Sequence, residues 1–315
     1  MDNRIALGIG LPKAATTYLA AVLAAHPEIC FSSGKEHKFF DIYAEQILDA
    51  EKNASPGTDL ENVFESLWKD FGPRCHRFRA EWTVSYIANL NALRAIKHFF
   101  RNSADPVFLL GIRDPIASVL SNYVYMALIR ENSDAFKKSQ LECMIQRPDI
   151  YLDPYDYYQV FKGFRQVFPH AKVLILPYRT ISSKPSEFFA DLFRCLQLNP
   201  LDGWSSIPPH NVSNSYRSLL IHRVVKWVSV RLYGDEQARL FLRSRLTDSE
   251  IPTLLLLAMR LNLGVYEWAP EAKVHARERL CHTATDFFEL TRHDPNCIFV
   301  GCDPSSDKIL VVHDK

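Results

Sequence analysis

Leu7-Gly-Ile-Gly-Leu-Pro-Lys-Ala-Ala-Thr-Thr-Tyr-Leu19 decides the architecture of this chain. Ile5 to Ile9 is a short apolar run that reads as a buried parallel strand. From Thr16 the apolar residues Leu19, Val22 and Leu23 recur at helical spacing until His26-Pro27 stops them. A strand, a tight turn and a helix in that order aim backbone N–H groups and the positive helix end at one point, where an anion can sit. Lys13 adds a full charge there, and Thr16 and Thr17 add hydroxyl donors. Neither Gly8 nor Gly10 places a Gly-Lys pair at the offset that G-x-x-x-x-G-K-[ST] requires, so a Mg-nucleotide hydrolase is disfavoured.

A second strand–helix junction follows the apolar run 107–112. Asp114 suits an N-cap and Pro115 the first helical position, and Ile116, Val119, Leu120 and Tyr123 then face a core. Arg113 therefore stands at the carboxyl end of a strand, where open parallel sheets bind ligands. Ser118 and Ser121, three apart, share a helix face. Helices are predicted over 89–101, 155–168 and from Pro185 to about Leu196, with a further buried strand over 173–176. This alternation predicts an α/β fold with a central parallel sheet flanked by helices. Residues 51–59 read as a loop. Helical patterns recur at 217–233, 252–263 and 271–292, and 298–300 with 309–312 read as a hairpin around Asp303-Pro-Ser-Ser-Asp307. A core over 1–215 with a mostly helical C-terminal extension over 216–315 is the expected organisation; the extension could cover a substrate site or form a homodimer contact.

The turn Pro12-Lys-Ala-Ala-Thr-Thr17 resembles the 5′-phosphosulfate loop of sulfotransferases, enzymes that use 3′-phosphoadenosine 5′-phosphosulfate (PAPS) as donor; the usual loop has Gly where this chain has Ala15. The segment 113–123 resembles that family's 3′-phosphate motif, R-x-P-x-x-R-x-x-S-x-Y, matched at Arg113, Pro115, Ser121 and Tyr123, with Ser118 in place of the inner arginine. Lys35-Glu-His-Lys-Phe-Phe-Asp41 is similar to a K-E-x-x-F-F-D segment whose glutamate is the family's proposed general base, which puts Glu36 in that role. Phe39 and Phe40 beside it would desolvate the carboxylate and sharpen its basicity, with Lys35 and Lys38 opposing. His37 is a second candidate base, because an imidazole changes charge near neutral pH. Ala80-Glu-Trp-Thr-Val-Ser-Tyr86 is similar to G-E-K-[ST]-P-x-Y, with Trp82 where many relatives carry lysine and Val84 where they carry proline. Trp82 could line the acceptor pocket or pack in the core. Residues 209–217 resemble a late segment whose arginine, here Arg217, reaches the donor nucleotide.

The resemblance implies a P-loop-like three-layer fold, PAPS as donor and its bisphosphate product PAP, and no metal. It assigns catalysis to Lys13 and Glu36, and donor binding to Pro12, Lys13, Ala14, Ala15, Thr16, Thr17, Arg113, Ser121 and Arg217. The acceptor would be a hydroxyl or amine of a glycan, lipid or small natural product, with Tyr151, Tyr155, Tyr157 and Tyr158 as residues that could face an aromatic or sugar group.

Composition narrows the partners. The 315 residues are 47% hydrophobic, enough for a sizeable core, and 37 Lys+Arg against 36 Asp+Glu leave a net charge of +1, so no global field favours nucleic acid. The 7 cysteines are scattered without a C-x-x-C pair, and the first strand follows the first Met almost at once; a cytoplasmic enzyme is expected. The most apolar stretch, 254–258, is far too short to span a bilayer. Two rival readings stand beside this one: an ATP-dependent small-molecule kinase, which needs Mg ligands and a Gly-Lys loop, and a non-catalytic nucleotide-binding scaffold of the same fold, which the altered Trp82 and Ser118 keep open.

Overall fold

The computed structural model describes residues 4–33, 35–53, 58–68, 78–102, 106–128, 138–207, 231 and 268–302. Arg217, the helices expected over 217–233 (all but Arg231) and 252–263, and the hairpin arm 309–312 lie outside the described residues. Six strands form one sheet: β1 (Arg4–Gly10), β2 (Ile29–Phe31), β3 (Phe78–Trp82), β4 (Val107–Ile112), β5 (Val173–Pro177) and β6 (Cys297–Phe299). Their order is β2-β3-β1-β4-β5-β6, and every pairing is parallel. The order reverses direction between β1 and β4, so the carboxyl ends of these two strands flank the crevice in which such sheets hold ligands.

The helices of the first part of the chain are α1 (Thr16–Ala25), α2 (Phe39–Ile42), α3 (Ala44–Asn53), α4 (Thr58–Glu65), α5 (Leu90–Phe99) and α6 (Pro115–Leu128). Local chemistry explains their ends. Asn89 caps α5, its Oδ1 accepting from the N–H groups of Asn91 and Ala92, and Asp114 caps α6, its Oδ1 accepting from Ala117 N–H at 2.7 Å. Within the loop expected at 51–59, the first three residues belong to α3, which runs to Asn53, and the last two to α4, which begins at Thr58.

Side chains alternate across the strands and build a layer on each face of the sheet. Phe78, Ala80, Trp82, Leu109, Leu174 and Leu176 are buried with Leu19 and Leu23 of α1 and with Phe188, Phe189 and Leu192 of the helix Pro185–Cys195. Phe108, next to Leu109 but opposite in direction, meets Phe164 and Phe168 at 5.0 and 4.7 Å between ring centroids, both from the end of the helix Tyr157–Val167. Each such fully buried aromatic contributes about 1.5–3 kcal/mol relative to exposure.

The chain divides into two compact units. One comprises Met1–Ser118, Asp153–Asn211 and Leu280–Lys315 and holds the sheet; the other comprises Val119–Leu152 and Val212–Arg279. Within the second, Tyr123 and Tyr151 approach to 6.0 Å between rings, Asn122 Nδ2 donates to Ile150 O, and Gln140 Oε1 accepts from Ala269 N–H. The helical stretch read as 271–292 is two helices, Pro270–Leu280 and Thr283–Arg292. Thr283 accounts for the break: its hydroxyl donates to Asp156 and accepts Tyr158 N–H, which starts a new helix whose Phe287 packs on Tyr157 and Phe161. The sequence reading made 298–300 a hairpin arm, whereas Cys297–Phe299 joins the central sheet beside β5. An ion pair between Arg165 and Asp294 at 2.8 Å, largely buried, sits just before it.

Candidate active site

β1 ends at Gly10, and the chain turns over the end of β4 before entering α1. Leu11 N–H donates to Gly111 O at 2.8 Å, and a Cβ on Gly111 would lie 3.2 Å from Ala14 O and 3.3 Å from Ala14 Cβ. Glycine at 111 lets the turn rest directly on β4. Lys13 and Ala15 both adopt left-handed φ, 67° and 58°. Position 15, where the resembled loop has glycine, is thus one where glycine is the unstrained choice, and Ala15 holds it at a cost of about 1–2 kcal/mol. α1 then starts with no side-chain cap and no acidic residue in its first turn. Its first N–H groups and positive dipole end face the turn without a resident carboxylate, a fitting seat for an anion.

Arg113 closes this turn from the neighbouring strand. Its Nη1 donates to Lys13 O at 3.3 Å, and its guanidinium lies 4.5 Å over the ring of Tyr178, the first residue beyond β5. The two anion-binding elements read from the sequence, a hundred residues apart, therefore meet at the carboxyl ends of β1 and β4. Lys13 is half-buried, and burial, reinforced by Arg113 and Lys35, lowers its ammonium to about 8, with Glu36 opposing. Burial and the neighbouring cations thus disfavour the charged form of Lys13, which a bound phosphate or sulfate ester would favour.

The turn carrying Glu36 leaves β2 and lies over the end of β3. Glu36 N–H donates to Trp82 O at 2.9 Å, and Lys38 N–H donates to Thr83 Oγ1 at 3.2 Å. Asp41 secures the far end by accepting from Ser85 Oγ and Asn89 Nδ2. Glu36 and Lys38 also have left-handed φ, 67° and 56°. Among the described residues, four of the five non-glycine residues with positive φ are therefore Lys13, Ala15, Glu36 and Lys38, the exception being Gln197. Strained backbone concentrates here, as it does where geometry serves a site.

The Glu36 side chain is 33% exposed and paired with Lys35. Phe39 and Phe40, expected to enclose it, turn instead into a cluster with Phe64, Phe99 and Phe100. The apolar enclosure belongs to Glu81, 2% exposed in β3. Burial pushes its carboxyl up to about 8, against a hydrogen bond from Thr83, with Asp41 and Glu36 adding to the rise and Lys35 opposing it. Sequence reading placed Glu81 in a motif and gave it no role; only the pairing of β3 with β1, which buries it, reveals one.

The remaining expected residues fall as follows. Pro12, Ala14, Thr16 and Thr17 lie in the β1–α1 turn and the first turn of α1, with Ala14 and Thr16 buried. Ser121 is half-buried on α6, in the second unit. Ser118 is fully buried and accepts from Tyr157 OH, so the position of the family's inner arginine is a core position here. Trp82 is fully buried against Gly8 and belongs to the core. Tyr151, Tyr155 and Tyr157 are packed away, and of that group Tyr158 alone keeps partial exposure.

A family model described as "Sulfotransferase family" matches residues 6–202. Similar solved structures include a sulfotransferase from Alicyclobacillus acidocaldarius, 18% identical, covering 78% of this chain and 98% of that one with a TM-score of 0.48. The sulfotransferase domain from the curacin biosynthetic pathway is 12% identical over 84% of this chain and 99% of its own, TM-score 0.39. The sulfotransferase domain of the Synechococcus PCC 7002 olefin synthase is 14% identical over 89% and 96%, TM-score 0.37. No curated protein matches the chain. Among the described residues, no helix is long and apolar enough to cross a membrane.

Proposed function

Since this chain belongs to the sulfotransferase family, we propose that it moves the sulfuryl group of PAPS to a hydroxyl or amine of a glycan, lipid or small natural-product acceptor, working in the cytoplasm. The observation that carries the reading is the meeting of Lys13 and Arg113 at the ends of adjacent strands, two cationic sites suited to a nucleotide with phosphates at both ends. Bound there, PAPS supplies an already activated sulfuryl group, and its bisphosphate product PAP would remain in the same seat.

Lys13 and the N–H groups of the turn and first turn of α1, residues 14–17, would stabilise the negative charge that builds on the departing 5′-phosphate. Such transfers need positioning and electrostatics more than covalent participation. Arg113, held flat by the Tyr178 ring and by Lys13 O, presents a fixed fork for the 3′-phosphate. Ser121 and Arg217 complete the assignment of donor contacts. Glu36 would take the proton of the acceptor, with its turn fixed by Trp82 and Thr83.

Calorimetry with 3′,5′-adenosine bisphosphate and with ATP tests the donor assignment: tight binding of the bisphosphate and weak binding of ATP are expected. The reverse order would favour the kinase. Arg113→Ala should weaken the bisphosphate about 10–100-fold, the worth of a hydrogen-bonded charge, and raise donor KM with little change in kcat. Unchanged donor affinity would remove Arg113 from the site. Glu36→Gln should abolish radiolabelled sulfate transfer to any acceptor found while leaving bisphosphate affinity within about twofold, since the change removes basicity and keeps the amide's shape. A fully active Glu36→Gln enzyme moves the base to His37 or elsewhere.

A further inference from the structure

Glu81 is a buried ionisable group with no part in the proposed transfer. It points from β3 into a buried site, where Oε1 accepts the Thr83 hydroxyl and Oε2 has no hydrogen-bond partner among the described residues. The charged and titratable groups around it are Lys35 and Glu36 from the turn after β2, Asp41 from α2 and the phenol of Tyr86. Of the groups that act on Glu81, two are the carboxyls of Asp41 and Glu36 and one is the Lys35 ammonium, which is paired with Glu36 and near Lys13.

The Thr83 hydroxyl has a single proton. Donating it to Glu81 leaves the oxygen lone pairs for Lys38 N–H and the Tyr86 phenol, and the preceding residue, Trp82, accepts Glu36 N–H. Glu36 N–H and Lys38 N–H, the amides of the two left-handed residues, are therefore both held by the two residues directly after Glu81. We propose that Glu81 is a positioning residue: held as an uncharged acid, it orients the Thr83 hydroxyl and so fixes the turn that carries Glu36. Ionised, it would draw Lys35 away from Glu36 and place a third negative charge beside Glu36 and Asp41, loosening the turn. The inference rests on reading Glu36 as the base, but it is read out on the backbone amides and not on activity.

Amide hydrogen exchange of the full chain tests it. Thr83→Val and Glu81→Ala should speed exchange at Glu36 and Lys38 about five- to tenfold, the worth of one hydrogen bond, while amides of β1 stay as slow as in the wild type. Glu81→Gln, which keeps an acceptor for the Thr83 hydroxyl and cannot ionise, should retain wild-type protection. Carboxyl-labelled glutamate should show one NMR signal titrating near 8 in the wild type and none there in Glu81→Gln. Unaltered exchange at 36–38 in Thr83→Val, with β1 intact, overturns the positioning role even where Glu81→Ala fails to fold. A Glu81 signal titrating in the ordinary carboxylate range overturns the uncharged state. Thr83→Val reads the backbone and Glu36→Gln reads transfer, so an active Glu36→Gln enzyme would dismiss the base without touching the exchange result.

Discussion

Lys13→Ala is expected to lower sulfuryl transfer by about 10²–10³-fold in kcat, the loss measured elsewhere when one preorganised donor to a developing oxyanion is removed. The residue sits in a left-handed turn whose carbonyl is held by Arg113, so the ammonium is aimed by backbone geometry and not by its flexible stem alone. Its pKa near 8 adds a pH test. Below 8 the ammonium is charged and binds an anion directly; above 8 the free protein holds a neutral amine that must take up a proton on binding. The dissociation constant of 3′,5′-adenosine bisphosphate should therefore rise as pH passes 8, by up to tenfold per unit until the pKa of the bound state is reached. Calorimetry in buffers of different ionisation enthalpy should register that proton uptake above pH 8 and not in Lys13→Ala. A pH-independent constant from 7 to 9.5 in the wild type would show that Lys13 does not meet the phosphate.

The two strand–helix junctions proposed to bind the donor were legible because each is local. β1, its turn and α1 lie within consecutive residues, and apolar spacing with a His-Pro stop marks them; the Asp114-Pro115 start of α6 is likewise a local signal that the cap at Ala117 bears out. What escaped the sequence depends on register between distant strands. Gly111 matters only because the β1–α1 turn crosses it, and Tyr178 only because β5 lies beside β4 and brings the ring under Arg113. Glu81 reads as one more carboxylate until β3 is inserted between β2 and β1. The apolar shell assigned to Glu36 failed for a related reason. Consecutive Phe39 and Phe40 begin a short helix and point into the core, while Glu36, held by backbone bonds at a left-handed φ, stays at the surface of the site. The same long-range logic explains two of the four departures from the resembled motifs: Trp82 and Ser118 occupy fully buried positions, where a lysine or an arginine would carry an unpaired charge into the core.

Gly8→Ala should be the most damaging single substitution in the sheet, although it adds one methyl group. Gly8 is in register with Trp82 on the adjacent strand, and the indole lies flat across the glycine. A Cβ there would come 2.6 Å from Cε2 and nearer still to Cγ and Cδ2, distances that real carbon contacts do not show. The ring cannot yield cheaply, because it is fully buried among the residues of α1 and the helix Pro185–Cys195. Overpacking ordinarily costs about 1–3 kcal/mol; a clash with three ring atoms at the centre of the sheet puts this variant at or above the top of that range. Trp82→Leu alone should also destabilise, by about 2–4 kcal/mol, through the cavity it opens. The double variant Gly8→Ala/Trp82→Leu should then be more stable than Gly8→Ala, because the methyl group enters the space that the indole vacates. Denaturant midpoints of the four proteins give this coupling directly. A Gly8→Ala protein within about 0.5 kcal/mol of the wild type would mean that the indole does not lie where the packing places it. The consequence would reach the site: Gly8 O accepts Thr83 N–H and Trp82 O accepts Glu36 N–H, so a shift of Trp82 moves the strand end on which the Glu36 turn is held.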